Sequence, residues 1–286
     1  MEILVIGAGL MGSQIACEYA LGGHAVEVLA RGVAVVEERL DHAFRTATRH
    51  GLASDTQVAE GRARIHVSGS IESRVKDVDL VVESITEDLD AKLGILGPIS
   101  ERFESATIAS NTSSLSITAL GEGIGAPTRT VGTHYWNPPL LMPLVEVIQT
   151  ETTDSGRVAA VIDGLIAISK QPILVRRDVP GFIWNRLQFA LLREAIALVD
   201  SGVADAPTID VVMRDGLAKR WRLTGPFQTA ALGGAETFEA VAANLFPTLS
   251  DALNARGLRS ITGAMQLEGF AELRDEGLAA ELARRV

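Results

Sequence analysis

A histidine and a glutamate, twelve residues apart, are the side chains whose types and spacing first suggest shared chemistry in this sequence. His134 follows a β-branched segment, Arg129–Thr133, and Glu146 lies within a second apolar segment, Leu144–Ile148. The sequence Asn137-Pro138-Pro139 between them cannot continue a strand, so the chain is predicted to turn there. A return strand would then bring the Glu146 carboxylate beside the His134 imidazole.

A histidine–carboxylate pair is suited to the oxidation of a secondary alcohol or the reduction of a ketone. Histidine exchanges protons near neutral pH, so it can take the hydroxyl proton while hydride leaves the carbon. A carboxylate on the other ring nitrogen fixes the tautomer and stabilises the imidazolium. The alternative, which the spacing alone does not exclude, is a core histidine bonded to a backbone carbonyl and a glutamate at the surface.

Two further polar segments could supply groups to the same site. Ser110-Asn111-Thr112-Ser113-Ser114 follows another predicted strand, at the sheet edge where ligands bind in doubly wound folds. Its hydroxyl and amide groups can bond a substrate oxygen or a nicotinamide ribose, or can simply cap the next helix. Asn185 stands among apolar neighbours, one turn into a predicted helix, and needs a hydrogen-bond partner, either a substrate or a backbone group.

A glycine-rich loop, Gly7-Ala8-Gly9-Leu10-Met11-Gly12, joins the first predicted strand to the first helix. Gly7 allows a tight turn, Gly9 lets the backbone approach a pyrophosphate, and Gly12 lets helix and strand lie close together. The helix N-terminus that follows offers free N–H groups and a positive dipole to phosphates. This context of strand, loop and helix favours dinucleotide binding over a purely structural turn.

Two residues after the second predicted strand, Ala30 and Arg31, bear on the choice of cofactor. A strand in this position usually ends with an acidic residue that bonds the adenosine ribose of NAD. Ala30 leaves no carboxylate to repel a 2′-phosphate, and Arg31 could pair with one, so the sequence favours NADP over NAD. The alternative is that Arg31 is solvated or stacks on the adenine, and that NAD still binds.

Alternating strands and helices must position these groups. The strands are predicted at Glu2–Ile6, Ala25–Leu29, Asp79–Glu83, Ala106–Ser110, Arg129–Thr133, Leu144–Ile148 and Pro172–Val175. The helices are predicted at Met11–Leu21, Val33–Thr48, Asp90–Phe103, Leu115–Gly121 and Ser155–Ile168. This alternation predicts a parallel sheet covered on both faces, because apolar runs such as Ile3-Leu4-Val5-Ile6 are typical of strands buried on both sides.

After Asp178 the apolar residues recur only at helical spacing, and no strand is predicted there. A typical domain has roughly 100–200 residues, so two domains are expected in a chain of 286 residues. We therefore predict an α/β fold with a Rossmann-type, doubly wound and mostly parallel sheet over residues 1–178. An all-helical domain is predicted over residues 179–286.

Composition and charge narrow the range of partners. The formal net charge is -10 and there is no basic block, which argues against a nucleic acid or an anionic membrane. No apolar run reaches the roughly 20 residues that cross a bilayer, and a strand predicted from Glu2 leaves no room for a targeting peptide. A single cysteine, Cys17, and the absence of metal-ligand spacing predict neither an internal disulfide nor a bound metal. We expect a cytoplasmic protein that acts on a small molecule or a thioester.

Together, these motifs resemble those of the L-3-hydroxyacyl-CoA dehydrogenase family, and the resemblance covers nearly the whole chain. The segments Arg220-Trp221, Thr224-Gly225-Pro226-Phe227 and Gly233-Gly234 are most similar to the branch that holds λ-crystallin (L-gulonate dehydrogenase) and L-carnitine dehydrogenase. The resemblance implies a Rossmann-type domain that binds a nicotinamide cofactor. It also implies a helical domain that forms the interface of a homodimer.

The resemblance further implies roles for individual residues. His134 matches the catalytic histidine and Glu146 its carboxylate partner, while Ser113 and Asn185 match residues that bond the substrate oxygen. The matching cofactor positions are Gly7, Gly9 and Gly12 at the pyrophosphate, and Glu83 and Asn137 at the nicotinamide end. Leu10, Met11, Ala30, Arg31 and Asn111 complete the predicted cofactor site.

Two departures from the family pattern bear on the cofactor and the substrate. Family members that use NAD carry an acidic residue where this chain has Ala30. The helix after the second strand is lysine-rich in the hydroxyacyl-CoA enzymes, but here it has mixed charge, with Arg45 and Arg49 as the nearest cations. A CoA thioester is therefore one of several possible substrates, beside a carrier-protein thioester and a free acid.

The leading prediction is an oxidoreductase that transfers hydride between NAD(P) and a 3-hydroxyacyl-type alcohol or the matching 3-keto compound. The first alternative is a dehydrogenase of a small hydroxy acid or a hydroxylated ring metabolite with the same catalytic groups. The second alternative belongs to another class, a cofactor-binding structural protein without catalysis.

Overall fold

In the computed structural model, which describes residues 1–70, 77–265 and 267–284, eight strands form a single sheet. They are β1 (Glu2–Ile6), β2 (Ala25–Leu29), β3 (Ile65–Ser68), β4 (Leu80–Glu83), β5 (Thr107–Ser110), β6 (Thr130–Tyr135), β7 (Leu144–Ile148) and β8 (Gln171–Val175). Their order in the sheet is β3-β2-β1-β4-β5-β6-β7-β8. All neighbouring strands are parallel except β6 and β7, which pair antiparallel.

The chain winds outward from β1 in both directions, so the strand order reverses between β1 and β4. In open α/β sheets a crevice forms at this reversal, beyond the carboxyl ends of the strands, and ligands bind there. The carboxyl ends of β1, β4, β5 and β6 all lie at this edge, because these strands are mutually parallel. The predicted Rossmann-type, doubly wound and mostly parallel sheet is confirmed.

The helices of this part of the chain cover both faces of the sheet. They are α1 (Leu10–Leu21), α2 (Val33–Arg49), α3 (Asp55–Ala63), α4 (Leu89–Arg102), α5 (Ile117–Gly123) and α6 (Ser155–Ala167). Ile3 and Val5 of β1 belong to a core that includes residues of α1, α2 and α6. Leu4 and Ile6 belong to a second core with residues of α4 and α5, as the alternation of side chains along a strand requires.

Two elements of the first unit were not predicted, and one strand is longer than predicted. α3 and β3 lie in a stretch assigned to no element, because β3 is a four-residue edge strand with only Ile65 and Val67 as apolar signals. β6 was expected to end at Thr133, but it continues through His134 to Tyr135. The antiparallel partner β7 extends the pairing, so His134 lies within a strand rather than just beyond it.

From Trp184 onward the described residues contain helices and no strand, which confirms the predicted helical C-terminal part. The helices are α7 (Trp184–Asp200), α8 (Ala206–Val211), α9 (Ala218–Trp221), α10 (Pro226–Gly233), α11 (Ala235–Leu245), α12 (Leu258–Gly263) and α13 (Phe270–Ala283). A π-helical segment, Val212–Leu217, joins α8 to α9. No helix in the described ranges is both long enough and apolar enough to cross a membrane.

The chain divides into two compact units, and the division is not linear in sequence. The first unit comprises Met1–Ile183 together with Glu268–Val286, and the second comprises Trp184–Leu267. The predicted domains, 1–178 and 179–286, differ from these units at residues 179–183 and at the segment that contains α13. A physical reason for the first difference is Phe182, whose side chain is buried in a core cluster with residues of α5, β7 and β8.

Candidate active site

The glycine loop leaves room for a ligand at one position and is closed at the other two. A Cβ added to Gly12 would lie 2.0 Å from the Gly7 carbonyl oxygen, and one added to Gly7 would lie 2.6 Å from the Ser84 carbonyl oxygen. Gly7 also has a φ of +88°, which favours glycine. In contrast, a Cβ on Gly9 would meet no atom within 4 Å. The loop is therefore tightly packed at Gly7 and Gly12 and has free space at Gly9.

The N-terminus of α1 is suited to binding an anion. The helix begins at Leu10, and its N-cap, Gly9, offers no side chain to the first N–H groups. Leu10 is 59% exposed, so this end of the helix is open to solvent. Uncapped N–H groups and the helix dipole together make an anion site, which fits the pyrophosphate of a dinucleotide.

The end of β2 has the cationic character that the sequence suggested. The Ala30 N–H donates to the carbonyl oxygen of Ser68 (3.0 Å), and Arg31 is exposed. A second arginine, Arg39 of α2, reaches back to the loop and donates from Nη1 to the carbonyl oxygen of Ala8 at 2.9 Å. Arg39 was not singled out from the sequence, since a lone arginine on a helix of mixed charge resembles a solvated side chain.

The chain doubles back as predicted, and the histidine and glutamate meet. β6 and β7 pair antiparallel with His134 directly opposite Glu146, and Nδ1 of His134 lies 2.6 Å from Oε2 of Glu146. His134 is 5% exposed and Glu146 is fully buried. Nε2 of His134 makes no hydrogen bond to the part of the chain that the structure describes. The carboxylate therefore holds one ring nitrogen, while the other has no hydrogen-bond partner among the described residues.

A strained turn just before the second unit supports both members of the pair. The Ile183 N–H donates to Oε1 of Glu146 at 2.9 Å, so both carboxylate oxygens are held. Phe182 is 1% exposed and its ring lies 5.5 Å from the His134 ring, centroid to centroid. Phe182 has a φ of +51°, which is uncommon for a residue with a side chain and costs conformational energy. The surrounding contacts must compensate for this cost.

The start of this turn is anchored separately. Oδ2 of Asp178 accepts hydrogen bonds from the hydroxyl of Ser116 (2.7 Å) and from the backbone N–H and hydroxyl of Thr118 (both 2.9 Å). Ser116 also caps α5 through its side chain. The polar segment after β5, residues 110–114, therefore does not cap α5. Ser116, two residues further along the chain, does.

A glutamate that the sequence analysis missed holds the loop that carries Ser113. Oε1 of Glu87 accepts from the Thr112 hydroxyl (2.7 Å), the backbone N–H groups of Ser113 (2.9 Å) and Ser114 (2.8 Å), and the Ser114 hydroxyl (2.9 Å). Oε2 lies 3.6 Å from Nζ of Lys92. Burial raises the pKa of Glu87, but the hydrogen bonds from Thr112, Ser114 and Ser113 outweigh it and hold the pKa below its usual value.

Glu83 lies at the end of β4, beneath this loop. It is fully buried, and Oε1 accepts from Nζ of Lys92 at 2.6 Å and from the Ile85 N–H at 2.7 Å. Oε2 accepts from the Ser110 hydroxyl at 2.5 Å. Both oxygens of Glu83 are thus engaged within the protein, between β4, β5 and α4.

The remaining predicted residues are placed as follows. Asn111 joins three strand ends, since its Nδ2 donates to the Ser84 hydroxyl (3.2 Å) and its Oδ1 accepts from the Tyr135 N–H (2.9 Å). Asn137 is exposed in the loop between β6 and β7, before a cis peptide bond to Pro138. Asn185 is the second residue of α7, rather than a full turn into the helix, and belongs to the second unit.

No group of three or more histidine, cysteine, aspartate or glutamate side chains within the described ranges is arranged to hold a metal ion. The site that the first unit builds combines two features. A glycine loop at an open helix N-terminus and a buried histidine–glutamate pair lie at the same edge of one mostly parallel sheet. A glycine loop of this kind and a histidine–carboxylate pair are together typical of nicotinamide-dependent dehydrogenases.

The chain belongs to the 3-hydroxyacyl-CoA dehydrogenase family. The family model for the NAD binding domain matches residues 2–179, and that for the C-terminal domain matches residues 181–269. The chain is accordingly an NAD-dependent oxidoreductase of this family.

Two relatives and one solved structure illustrate the range within this family. A 5-formyl-3-hydroxy-2-methylpyridine 4-carboxylate 5-dehydrogenase of Mesorhizobium japonicum is 32% identical over 87% of this chain and 81% of its own length. An L-carnitine dehydrogenase of Streptomyces coelicolor is 37% identical over 82% of this chain and 74% of its own length. A crystal structure of a 5-formyl-3-hydroxy-2-methylpyridine 4-carboxylic acid 5-dehydrogenase, an NAD+-dependent dismutase, has a TM-score of 0.86 at 28% identity. That comparison covers 99% of this chain and 97% of the other.

The glycine loop predicts opposite effects for two alanine substitutions. Gly12→Ala would place a methyl group against the Gly7 carbonyl, so we expect a loss of about 1–3 kcal/mol in the free energy of unfolding. A methyl group at position 9 would meet no other protein atom, so we expect Gly9→Ala to keep its stability within about 1 kcal/mol of wild type. We expect its NADH affinity to be about tenfold or more weaker, because the methyl group would lie where the pyrophosphate approaches the backbone. Urea unfolding and NADH fluorescence titration measure the two effects. Wild-type NADH affinity in Gly9→Ala would contradict the assignment of this loop to the pyrophosphate.

The lowered pKa of Glu87 predicts a pH-dependent contribution to stability. Because the pKa is lower in the folded protein, its contribution is present above the pKa of the unfolded chain and is lost as pH falls through the folded value. Glu87→Gln should cost on the order of 1 kcal/mol at pH 7, allowing for solvent screening of a partly exposed carboxylate. The difference from wild type should shrink toward pH 4 in urea unfolding, whereas the exposed control Glu38→Gln should show little difference at either pH. A difference for Glu87→Gln that is equal at both pH values would speak against this role.

Proposed function

We propose that this chain transfers hydride between a nicotinamide dinucleotide and a secondary alcohol or its ketone, with His134 as the general acid and base. The observation that carries the proposal is the 2.6 Å contact between Nδ1 of His134 and Oε2 of Glu146 in a buried strand pair. The pair and the glycine loop lie at the same edge of one sheet. The sheet therefore positions both the proton acceptor and the proposed cofactor site.

The protein residues have distinct tasks in the oxidation direction. Nε2 of His134 takes the hydroxyl proton, and Glu146 stabilises the imidazolium that forms. Ser113 and Asn185 are assigned to bond the substrate oxygen, with Glu87 holding the loop that carries Ser113. Asn111, Asn137 and Glu83 are assigned to the nicotinamide end, where Glu83 acts through its contacts with Ser110 and Lys92. The chemistry that a bound nicotinamide supplies is acceptance or donation of the hydride.

The first candidate substrate is a 3-hydroxyacyl compound, as a CoA or carrier-protein thioester or as a free acid. The match to both 3-hydroxyacyl-CoA dehydrogenase domains and the similarity to an L-carnitine dehydrogenase support this class. A second candidate is a small hydroxy acid or a hydroxylated ring metabolite. It is supported by the likeness of the whole chain, at a TM-score of 0.86, to the pyridine carboxylate dehydrogenase. The buried and fully oriented His134–Glu146 pair argues against a structural protein without catalysis.

The reaction is tested by removing the acid/base group. His134→Gln keeps a polar side chain of similar size but cannot exchange the proton, so we expect kcat to fall about 10²- to 10⁴-fold. NADH affinity should stay within about threefold of wild type, since the glycine loop is untouched. The control His42→Gln changes an exposed histidine on α2 and should retain full activity. Turnover by His134→Gln at the wild-type rate would end the acid/base assignment.

Acetoacetyl-CoA, L-carnitine and 5-formyl-3-hydroxy-2-methylpyridine 4-carboxylate are the three probes for substrate class, each assayed by the change in NADH absorbance. Turnover of the thioester or carnitine supports the first candidate, and turnover of the pyridine compound alone supports the second. The same three probes serve for the His134→Gln comparison, using whichever gives the highest kcat/KM in wild type.

We further propose that the site accepts NADP as well as NAD, with NADP favoured. Ala30 presents no carboxylate where β2 ends, and the exposed Arg31 is free to approach a 2′-phosphate. Guanidinium groups pair well with phosphate, which supports the preference.

Substitution at the end of β2 tests this cofactor preference. Ala30→Asp should lower kcat/KM for NADP about tenfold or more relative to NAD, because the new carboxylate repels the 2′-phosphate. Arg31→Ala should lower kcat/KM for NADP without a comparable effect on NAD. A wild-type kcat/KM for NADP well below that for NAD would overturn the preference.

The helical segment, residues 179–286, is proposed to provide substrate contacts and the interface of a homodimer. Several large apolar side chains of the second unit are exposed, with Leu223 at 86%, Phe227 at 89% and Leu253 at 98%. Apolar side chains that are almost fully exposed are typical of residues that become buried on association, so they support an interface with a second copy.

A further inference from the structure

The helix that begins at the glycine loop also contacts the loop that joins His134 to Glu146. Oε1 of Gln14, on α1, accepts a hydrogen bond from the Leu140 N–H at 3.2 Å. One turn further along α1, Glu18 forms an ion pair with Lys170, which lies in the turn between α6 and β8. Both contacts are buried and both belong to the first unit.

Lys170 extends this connection to the loop between β6 and β7. Its Nζ donates to the carbonyl oxygens of Pro139 (2.6 Å) and Met142 (3.2 Å) as well as pairing with Glu18. With the contact from Gln14 to Leu140, side chains thus hold three backbone groups of this loop. The hydroxyl of Tyr135, next to His134, donates to the hydroxyl of Tyr19 on α1 at 3.2 Å and adds a fourth link.

A contribution to the stability of the fold does not explain why Glu18 and Lys170 form a buried ion pair. Burial raises the pKa of Glu18 to about 7, although the Lys170 ammonium acts in the opposite direction. Oε2 of Glu18 has no hydrogen-bond partner among the residues described. A buried ion pair contributes little net stability compared with apolar side chains of similar volume, because both charges lose their hydration. A role in fixing geometry explains why a charged pair occupies this place.

We propose that Gln14, Glu18 and Lys170 are positioning residues that fix the β6–β7 hairpin against α1. They act through the loop backbone, so that His134 keeps its distance from the cofactor held at the other end of the same helix. The proposal rests on the proposed function of His134, and it extends the active site to a cluster that touches neither substrate nor cofactor. Misplacement of a reacting group by about 1 Å can lower the rate on the order of 10²-fold. A cluster that fixes the position of His134 can therefore have a large effect on kcat.

An apolar replacement of the pair separates positioning from stability. We expect Glu18→Leu/Lys170→Met to stay folded, with an unfolding temperature lowered by the two backbone carbonyls that lose their donor rather than by the loss of the ion pair itself. Because Pro139 and Met142 lose their donor, kcat should fall about 10- to 100-fold, with the NADH Kd within about twofold of wild type. kcat is measured with the best of the three probes and Kd by NADH fluorescence. An unchanged kcat in the folded double variant overturns the proposal.

A matched control is available elsewhere in the same unit. Arg129 also joins a side-chain cation to backbone carbonyls, donating to Phe103 (3.1 Å), Ala106 (2.9 Å) and Ser100 (2.9 Å), but it precedes β6 at the opposite end from His134. Arg129→Met is expected to lower the unfolding temperature and leave kcat unchanged. If kcat falls equally in Arg129→Met and in the double variant, the cluster has only a structural role and the proposal is wrong.

An NMR measurement that needs no substrate tests the positioning role independently of the proposed function. The proton on Nδ1 of His134, hydrogen-bonded to Glu146, should give a downfield NMR signal that is absent in His134→Gln. The signal should shift or broaden in the double variant and stay unchanged in Arg129→Met. If wild type turns over none of the probes, the proposed function fails while this signal still decides the positioning role. If the double variant does not fold, Gln14→Met replaces it, and an unchanged signal and kcat there overturn the proposal.

Discussion

The antiparallel pairing of β6 with β7 is the constraint on which the candidate site depends. It places Glu146 directly opposite His134 in a region closed to water, where an unpaired carboxylate would be costly. The imidazole and the Ile183 N–H satisfy the two carboxylate oxygens. The pair therefore cannot separate without leaving a buried charge, and the turn at Phe182 is tied to the same contact.

Hydrogen bonds between the ends of parallel strands join this pair to the rest of the site. Asn111 links the ends of β4, β5 and β6 through Ser84 and Tyr135, and Glu87 fixes the loop that carries Ser113. These contacts explain how short polar loops can hold the proposed catalytic groups, since each loop is anchored by a side chain from a neighbouring strand end or loop. A rigid sheet edge supplies the geometry, and the loops supply the functional groups.

Much of this architecture could be predicted from the sequence, because the strands buried on both faces are continuous apolar runs and the glycine loop has a specific context. The His134–Glu146 contact was predictable for the same reason, since two prolines demand a turn and two apolar segments demand pairing. Glu87 and Lys170 were missed because their partners are distant in sequence, and an isolated charge on a loop or helix resembles a solvated one. The edge strand β3 and helix α3 were missed because their apolar patterns are short and weak.

The position of α13 has a consequence for how the protein is made. This helix belongs to the first unit, yet the ribosome translates it only after the whole of the second unit, Trp184–Leu267. Domains usually fold in the order in which they emerge. Here Ala279 and Leu282 of α13 line one cavity together with Leu21, Leu52 and Leu140, although the second unit is made between them. The first unit therefore gains α13 only after the whole of the second unit has been made, although its sheet is already complete at β8.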